Sequence, residues 1–233
     1  MRPTLRTAGM HRSDTHTGRP AAIPCRGPGR TLPLWFALIA YAAGAAAELS
    51  PDERARLERG EVLVAVQDVT AARAVVLIAA PPAEVWTHID HCADYDAFLP
   101  RVTQAEELAR EGDEVTCKVV IGLPFPLPSL WSVSVARHST EGDGRYRRDW
   151  RTVDGSYEVD EGSWTLSPYG GSGDRTLLEY AFRVVPRTSL VPAAIRRAAQ
   201  RQTLPQVMEA VRARVRAEGI RNEAASGPVS RRD

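Results

Sequence analysis

The chain of 233 residues has little of several residue types that would mark a specialised class of protein. It contains 3 cysteines and 3 methionines, and aromatic residues make up only 6% of the sequence. Three cysteines cannot form the dense disulfide framework of a small secreted scaffold. Lysine and arginine total 30 against 29 acidic residues. Because phosphate binding needs a clustered positive surface, this balance argues against nucleic acid as a partner.

The sequence contains one apolar run, which is shorter than the about 20 residues that a membrane-spanning helix needs. It covers residues 31–47 and follows a segment with six arginines and a single acidic residue, Asp14. A basic start, an apolar middle and a small-residue end at Ala45-Ala46-Ala47 are typical of a secretory signal peptide. We therefore expect cleavage near Ala47 and export to the periplasm or the exterior. An uncleaved anchor and a mitochondrial presequence are the alternatives.

Cleavage would leave a single acidic domain. Without residues 1–47, which hold six arginines and Asp14, 24 basic and 28 acidic residues remain, a charge of about −4. The sequence predicts one folded domain over residues 48–218 and a disordered polar tail over residues 219–233. Cys92 and Cys117 either form a disulfide or stay as two separately buried thiols.

Apolar periodicity predicts strands in the middle of this domain and helices around them. Helical patterns occur at 50–59, 83–90, 94–98 and 191–217. Pro205 interrupts the last pattern, and Thr203 with Gln206 forms a capping-box signature, so we expect the helix to restart or kink there and to end at Gly219. Two β-rich runs, 61–69 and 73–79, form either a hairpin or one bulged strand, and six strands follow at 102–109, 114–121, 130–137, 145–153, 157–166 and 175–185. This order indicates an α+β fold, with a curved antiparallel sheet around a long C-terminal helix.

Ordered motifs across residues 61–216 resemble the START-like superfamily, which has the helix-grip fold. They are AAPPAEVW at 79–86, DYDAFLPRV at 94–102, DG at 154–155, GSW at 162–164, LEY at 178–180 and VPAAIRRAAQRQTLP at 191–205. Within this superfamily the chain most resembles the polyketide cyclase and coenzyme-Q-binding group. The resemblance implies that Trp86, Tyr95 and Phe98 hold two short helices on the sheet. It also implies a hydrophobic ligand between the sheet and the C-terminal helix.

Alternation along the strands predicts which side chains line such a cavity. The candidates are Trp131, Tyr146, Arg148, Trp150, Trp164, Leu178, Tyr180 and Phe182. A buried arginine needs a partner, because an unpaired buried charge is very costly. An inward Arg148 therefore either meets an anionic group of the ligand or pairs with a strand acid such as Glu161.

The proline-broken loop at residues 122–130 is a candidate entrance. Its apolar residues Phe125, Leu127 and Leu130 suit either a lid over the cavity or an edge that touches a membrane transiently. The alternative is a loop folded down onto the end of the sheet. His88 and His91 lie three residues apart on a helix, but a metal site needs more ligands than these, so we predict no metal.

These features predict an exported, monomeric carrier for a hydrophobic small molecule such as a lipid, an isoprenoid or a quinone, working without a cofactor. An alternative is a polyketide or aromatic cyclase or dehydratase, which needs a general acid or base in the cavity. Another is an assembly or chaperone-like module that acts through its surface. An apolar cavity wall favours the carrier, whereas Arg148 facing one void with Glu161 or Tyr180 favours the enzyme.

Overall fold

The computed structural model describes residues 49–187 and 192–225. The expected signal peptide, 1–47, and the end of the expected tail, 226–233, lie outside these residues. In chain order the elements are α1 (Pro51–Glu58), β1 (Leu63–Val66), β2 (Ala71–Ile78), α2 (Pro82–Asp90), a 3-10 turn (Cys92–Asp94), α3 (Tyr95–Phe98), β3 (Val102–Glu111), β4 (Glu114–Ile121), β5 (Leu130–Thr140), β6 (Tyr146–Gly155), β7 (Tyr157–Pro168), β8 (Thr176–Pro186) and α4 (Ala193–Ala225).

The eight strands form one antiparallel sheet in the order β1-β2-β8-β7-β6-β5-β4-β3. Strands β3 to β8 pair with their neighbours along the chain, because short turns join them. Gly144, in the turn between β5 and β6, has a φ of 80°, a conformation that favours glycine. The first two strands form a hairpin in which Leu63 lies opposite Val75, and β2 then pairs with β8. Residues 61–79 therefore form a hairpin and not one bulged strand.

A capped helix covers the outer face of this hairpin. Ser50 accepts a hydrogen bond from the Glu53 amide at 3.2 Å, and the Glu53 carboxylate accepts one from the Ser50 amide at 2.8 Å. This reciprocal capping box satisfies two amides at the start of α1. Leu57 from α1 is then buried against Leu63 and Val75.

The main core lies between the sheet, α2 and α4. Val85 and Ile89 of α2 pack with Met208 and Val211 of α4, and all four side chains are fully buried. Each such burial stabilises the fold by about 1.5–3 kcal/mol. The core therefore holds α4 against the sheet along its middle part.

Helix α4 is longer than the sequence predicts. It runs through Pro205 without the expected restart and continues past Gly219 to Ala225. The expectation that Gly219 ends the helix is wrong, because this glycine stays in the right-handed helical conformation instead of forming a left-handed cap. Pro205 lacks the amide that would donate to the Arg201 carbonyl, but burial of neighbouring Leu204 and Met208 supports the helix there. None of the described helices is both long enough and apolar enough to cross a membrane.

Candidate functional site

A cavity of about 430 Å³ lies between the sheet and α4. This volume is in the range of pockets that hold small organic ligands. The strands supply most of the wall, and α4 closes the cavity with Thr203, Leu204 and Val207. Exposed residues such as Arg101 and Gln202 also line it, so the cavity reaches the surface.

Aromatic rings build one continuous apolar wall. The Trp164 and Tyr180 rings stack with centroids 4.0 Å apart, and Tyr180 also stacks on Trp150 at 5.6 Å and contacts Phe182 at 5.3 Å. The register places Gly162 opposite both Trp150 and Phe182. A Cβ atom at Gly162 would overlap the Trp150 indole, so glycine is the residue that lets this ring lie flat against the sheet.

Arg148 is buried in the cavity wall, with only 3% of its surface exposed. Its Nη1 donates to the Asp90 carbonyl at 3.1 Å and to the Ile89 carbonyl at 3.4 Å, at the C-terminal end of α2. Unpaired carbonyls at a helix C-terminus favour a cation. Glu161 does not pair with Arg148, because it lies near Arg183 instead, with nitrogen and oxygen 3.7 Å apart. Backbone carbonyls therefore take the place of the expected strand acid.

His138 joins Arg148 to a carboxylate. Its Nε2 lies 3.1 Å from Arg148 Nη1, and its Nδ1 lies 2.9 Å from Asp90 Oδ1. Burial, followed by the charge of Arg148, lowers the pKa of His138 to about 4. The imidazole is therefore neutral at pH 7, with Nδ1–H donating to Asp90 and Nε2 accepting from Arg148. Burial raises the pKa of Asp90, but the hydrogen bond and charge of Arg110 outweigh this and leave it below the usual value.

A disulfide forms part of the same wall. Cys92 and Cys117 are bonded, with their Cα atoms 6.4 Å apart, and the bond ties the 3-10 turn to β4. Arg148 Nη2 donates to the Cys117 sulfur at 3.1 Å. The disulfide therefore helps to fix the turn next to the helix end that binds Arg148.

Asp160 is a cavity residue that the sequence reasoning missed. Thr152 donates to one of its carboxyl oxygens at 3.0 Å, and the Trp150 indole donates to the other at 3.3 Å. Burial raises the pKa of Asp160, although hydrogen bonds from Thr152, Trp150 and Ser132 act in the opposite direction. A raised pKa brings a carboxyl closer to the range in which it can serve as a general acid or base. The signal was present, because alternation from Trp164 through Gly162 leads to an inward Asp160.

Tyr157 was missing from the predicted cavity wall. A register shift in β7 between Tyr157 and Val159 turns this side chain into the cavity. Such a bulge changes which residues face inward, and the sequence gives no direct sign of it. Burial raises the pKa of both Tyr157 and Tyr180, so each phenol keeps its proton and can donate a hydrogen bond.

Three predicted wall residues do not line the cavity. Trp131 points to the outer face with 37% of its surface exposed, because Leu130 and Ser132 take the inward positions of β5. Tyr146 faces inward but lies under Trp86, with ring centroids 5.4 Å apart. Leu178 is fully buried in the core beside the cavity. The structure does place Arg148, Trp150, Trp164, Tyr180 and Phe182 in the wall.

The predicted lid residues have three different environments. Phe125 is 98% exposed, Leu127 is partly buried, and neither lines the cavity. Leu130 is buried against Tyr157 and lines the cavity. From the loop itself, Leu123 and Pro124 reach the cavity instead of Phe125. The strand alternation that begins at Leu130 explains its inward position.

The two helical histidines lie apart from this cavity and differ in burial. His88 is buried, with Nε2 3.3 Å from Glu218 Oε2, and burial lowers its pKa. His91 is exposed and its Nδ1 lies 3.2 Å from the Thr87 carbonyl. Among the described residues, no cluster of three or more histidine, cysteine, aspartate or glutamate side chains is arranged to hold a metal ion.

The family model described as "Polyketide cyclase / dehydrase and lipid transport" matches residues 78–212. This range holds the cavity strands and most of α4. No curated protein matches the sequence significantly.

Solved structures with a similar fold come from bacteria and humans. The STAR-related lipid transfer protein from Xanthomonas axonopodis is 19% identical with a TM-score of 0.59, and the match covers 66% of this chain and 93% of that one. Human STARD10 is 13% identical with a TM-score of 0.57, covering 71% and 74%. A START superfamily protein from Mycobacterium smegmatis is 16% identical with a TM-score of 0.51, covering 64% and 98%. At such identities the likeness shows the fold alone, and it confirms the predicted helix-grip architecture.

Proposed function

Because this chain belongs to the polyketide cyclase, dehydrase and lipid transport family, we propose that it carries an apolar small molecule, such as a lipid, an isoprenoid or a quinone-like compound. Membership of the family supports hydrophobic-ligand binding or cyclase function. The observation that favours a carrier is the aromatic wall of Trp150, Trp164, Tyr180 and Phe182 beside a void of about 430 Å³. Flat apolar rings gain free energy by excluding water from a ligand without forming any covalent bond.

The polar groups of the wall do not overturn this proposal. Arg148 and Tyr180 face the same cavity, which is one of the two arrangements expected of an enzyme, whereas Glu161 lies near Arg183. Arg148 already donates to two carbonyls of α2 and to the Cys117 sulfur. Its position is therefore explained by the fold.

An environment-sensitive fluorescent fatty acid tests the proposal. It should bind the parent protein with a negative heat-capacity change, which marks apolar burial. Phe182→Asp should abolish binding. Burying an unpaired carboxylate against the probe is more unfavourable in free energy than burial of the apolar probe is favourable. Arg183→Asp is the matched control, since the neighbouring side chain lies on the outer face. Equal binding by both variants would contradict the proposed site.

A cyclase or dehydratase is the second candidate, and Asp160 is the observation that favours it. Its raised pKa and its place in the cavity suit a general acid or base. Asp160→Asn keeps the shape of the side chain but cannot transfer a proton. Conversion of a poly-β-keto probe by the parent, lost in Asp160→Asn, would identify an enzyme. A carrier should convert no probe, and this variant should keep its affinity for the fatty acid.

Export and a transient membrane contact complete the proposal. The signal-like segment at 1–47 supports export, and the mature protein should begin near Glu48. Full-length chain in the cytoplasm would contradict this. Phe125, 98% exposed and two residues from the cavity-lining Leu123, supports contact with a lipid surface. Phe125→Asp should slow ligand exchange with phospholipid vesicles while leaving affinity for the soluble probe unchanged.

A further inference from the structure

Two buried polar atoms, in residues of α4 that line the cavity, have no hydrogen-bond partner. Among the described residues, five buried side-chain nitrogen or oxygen atoms lack a hydrogen bond. Two of the five, Arg196 Nε and Gln200 Oε1, belong to residues that line the cavity. Gln200 has only 7% of its surface exposed. Leaving a buried acceptor without a donor is unfavourable, so this pair calls for an explanation.

The spacing of the two residues lets both side chains form hydrogen bonds to the same ligand group. Arg196 and Gln200 are four positions apart on α4, so their side chains lie on the same face of the helix, with Cβ atoms about 6 Å apart. Arg196 Nε can only donate a hydrogen bond, and Gln200 Oε1 can only accept one. A ligand group that satisfies both atoms must therefore accept and donate at once.

A hydroxyl is the smallest group that does both. Its oxygen accepts from Arg196 Nε–H while its proton goes to Gln200 Oε1. A carboxylate or a phosphate diester can accept from Arg196 but has no proton for Gln200 Oε1, and a hydrocarbon would leave both atoms unsatisfied. The remainder of the ligand would face the aromatic wall formed by the sheet.

We propose that Arg196 and Gln200 form a hydroxyl-binding subsite, so that the carried molecule is an apolar alcohol or phenol. This inference rests on the proposed carrier function and narrows its ligand class. It assigns to α4 the recognition of the polar end and to the sheet the burial of the apolar part. The charged donor makes this hydrogen bond stronger than one between neutral groups.

A pair of matched probes tests the subsite by displacement of the fluorescent fatty acid. 1-Dodecanol both donates and accepts, whereas its methyl ether only accepts. The parent protein should bind the alcohol about tenfold or more tightly than the ether, because the ether leaves Gln200 Oε1 unpaired. In Gln200→Leu the two probes should bind within about twofold of each other. The ether is slightly larger than the alcohol. This size difference is the same for the parent and the variant, so it does not affect a comparison of their alcohol-to-ether affinity ratios.

Three further variants complete the test. Gln206→Leu makes the same substitution at an exposed position of α4 and should keep the parent's preference. Arg196→Lys removes Nε–H and should weaken the alcohol and the ether together. Gln200→Met preserves side-chain volume and replaces Gln200→Leu if that variant lacks a cooperative thermal transition.

The outcomes separate this inference from the proposed function. If both probes bind the parent equally, the subsite is refuted while the carrier function stands, and water alone satisfies the two atoms. If the preference for the alcohol survives in Gln200→Leu and Gln200→Met, Gln200 is not the acceptor and the subsite is refuted. If neither probe nor the fatty acid binds, the carrier function and the subsite both fail.

Discussion

Protonation of His138 should destabilise the fold in mild acid. Its imidazole is 9% exposed, and its two nitrogens face Arg148 and Asp90, with Arg110 and Glu107 further out. The substitution His138→Gln removes the titrating ring but keeps a group that can donate and accept hydrogen bonds. Comparison with the parent therefore isolates the effect of this one proton.

The magnitude follows from the two pKa values. In the unfolded chain His138 takes up a proton near pH 6.5, whereas in the folded protein it does so only near pH 4. Between these values the unfolded state binds more protons, so stability falls as the pH falls. Each pKa difference of one corresponds to about 1.4 kcal/mol, so the loss approaches ~3 kcal/mol at the acid end. Asp160, with its raised pKa, acts in the opposite direction in both proteins.

Urea denaturation at about pH 7 and about pH 4.5 measures this loss. The parent should lose more free energy of unfolding than His138→Gln over the interval, by about 2–3 kcal/mol. His91→Gln is the matched control, because that imidazole is exposed and does not contact Arg148. Parallel pH dependence in the parent and His138→Gln would refute the buried, neutral imidazole described above.

Two further variants test the cavity wall by urea denaturation: one adds a methyl group beside Trp150, and the other removes the disulfide. Gly162→Ala should destabilise the fold by about 1–3 kcal/mol, because the added methyl group overlaps the Trp150 ring, whereas Gly171→Ala has open space around it and should be nearly neutral. A cost for Gly162→Ala no larger than that for Gly171→Ala would contradict this packing. Replacing Cys92 and Cys117 together with alanine should cost about 3 kcal/mol, because the bond closes a loop across 25 residues. Identical stability of parent and double variant under oxidising conditions would show that the bond is absent.

The fold was predictable because local patterns and packing agree. In β4, Val115, Cys117 and Val119 alternate with polar or outward residues, and the structure turns all three towards the helix side. The spacing of buried residues on α4 likewise matches one face of a helix. Gly219 was misjudged because a glycine can end a helix or continue it, and the surrounding helix decides which.

The cavity was only partly predictable, because its polar contacts join distant parts of the chain. Arg148 was expected to face inward, but its carbonyl partner on Asp90 lies 58 residues away and depends on how α2 docks on the sheet. Asp160 could have been found by alternation, whereas Tyr157 depends on a bulge. The unpaired atoms of Arg196 and Gln200 can be recognised only once the packing of α4 on the sheet is known.

The central claim is that the void between the sheet and α4 holds an apolar ligand. Native mass spectrometry of the protein purified from its own host, followed by solvent extraction, tests it most directly. The parent should carry an extractable apolar molecule, and Val119→Trp should lose it by filling the cavity that Val119 lines. Val120→Trp places the same bulk on the opposite face of β4 and should keep the ligand. The same ligand occupancy in all three proteins, or an empty parent, would contradict the claim.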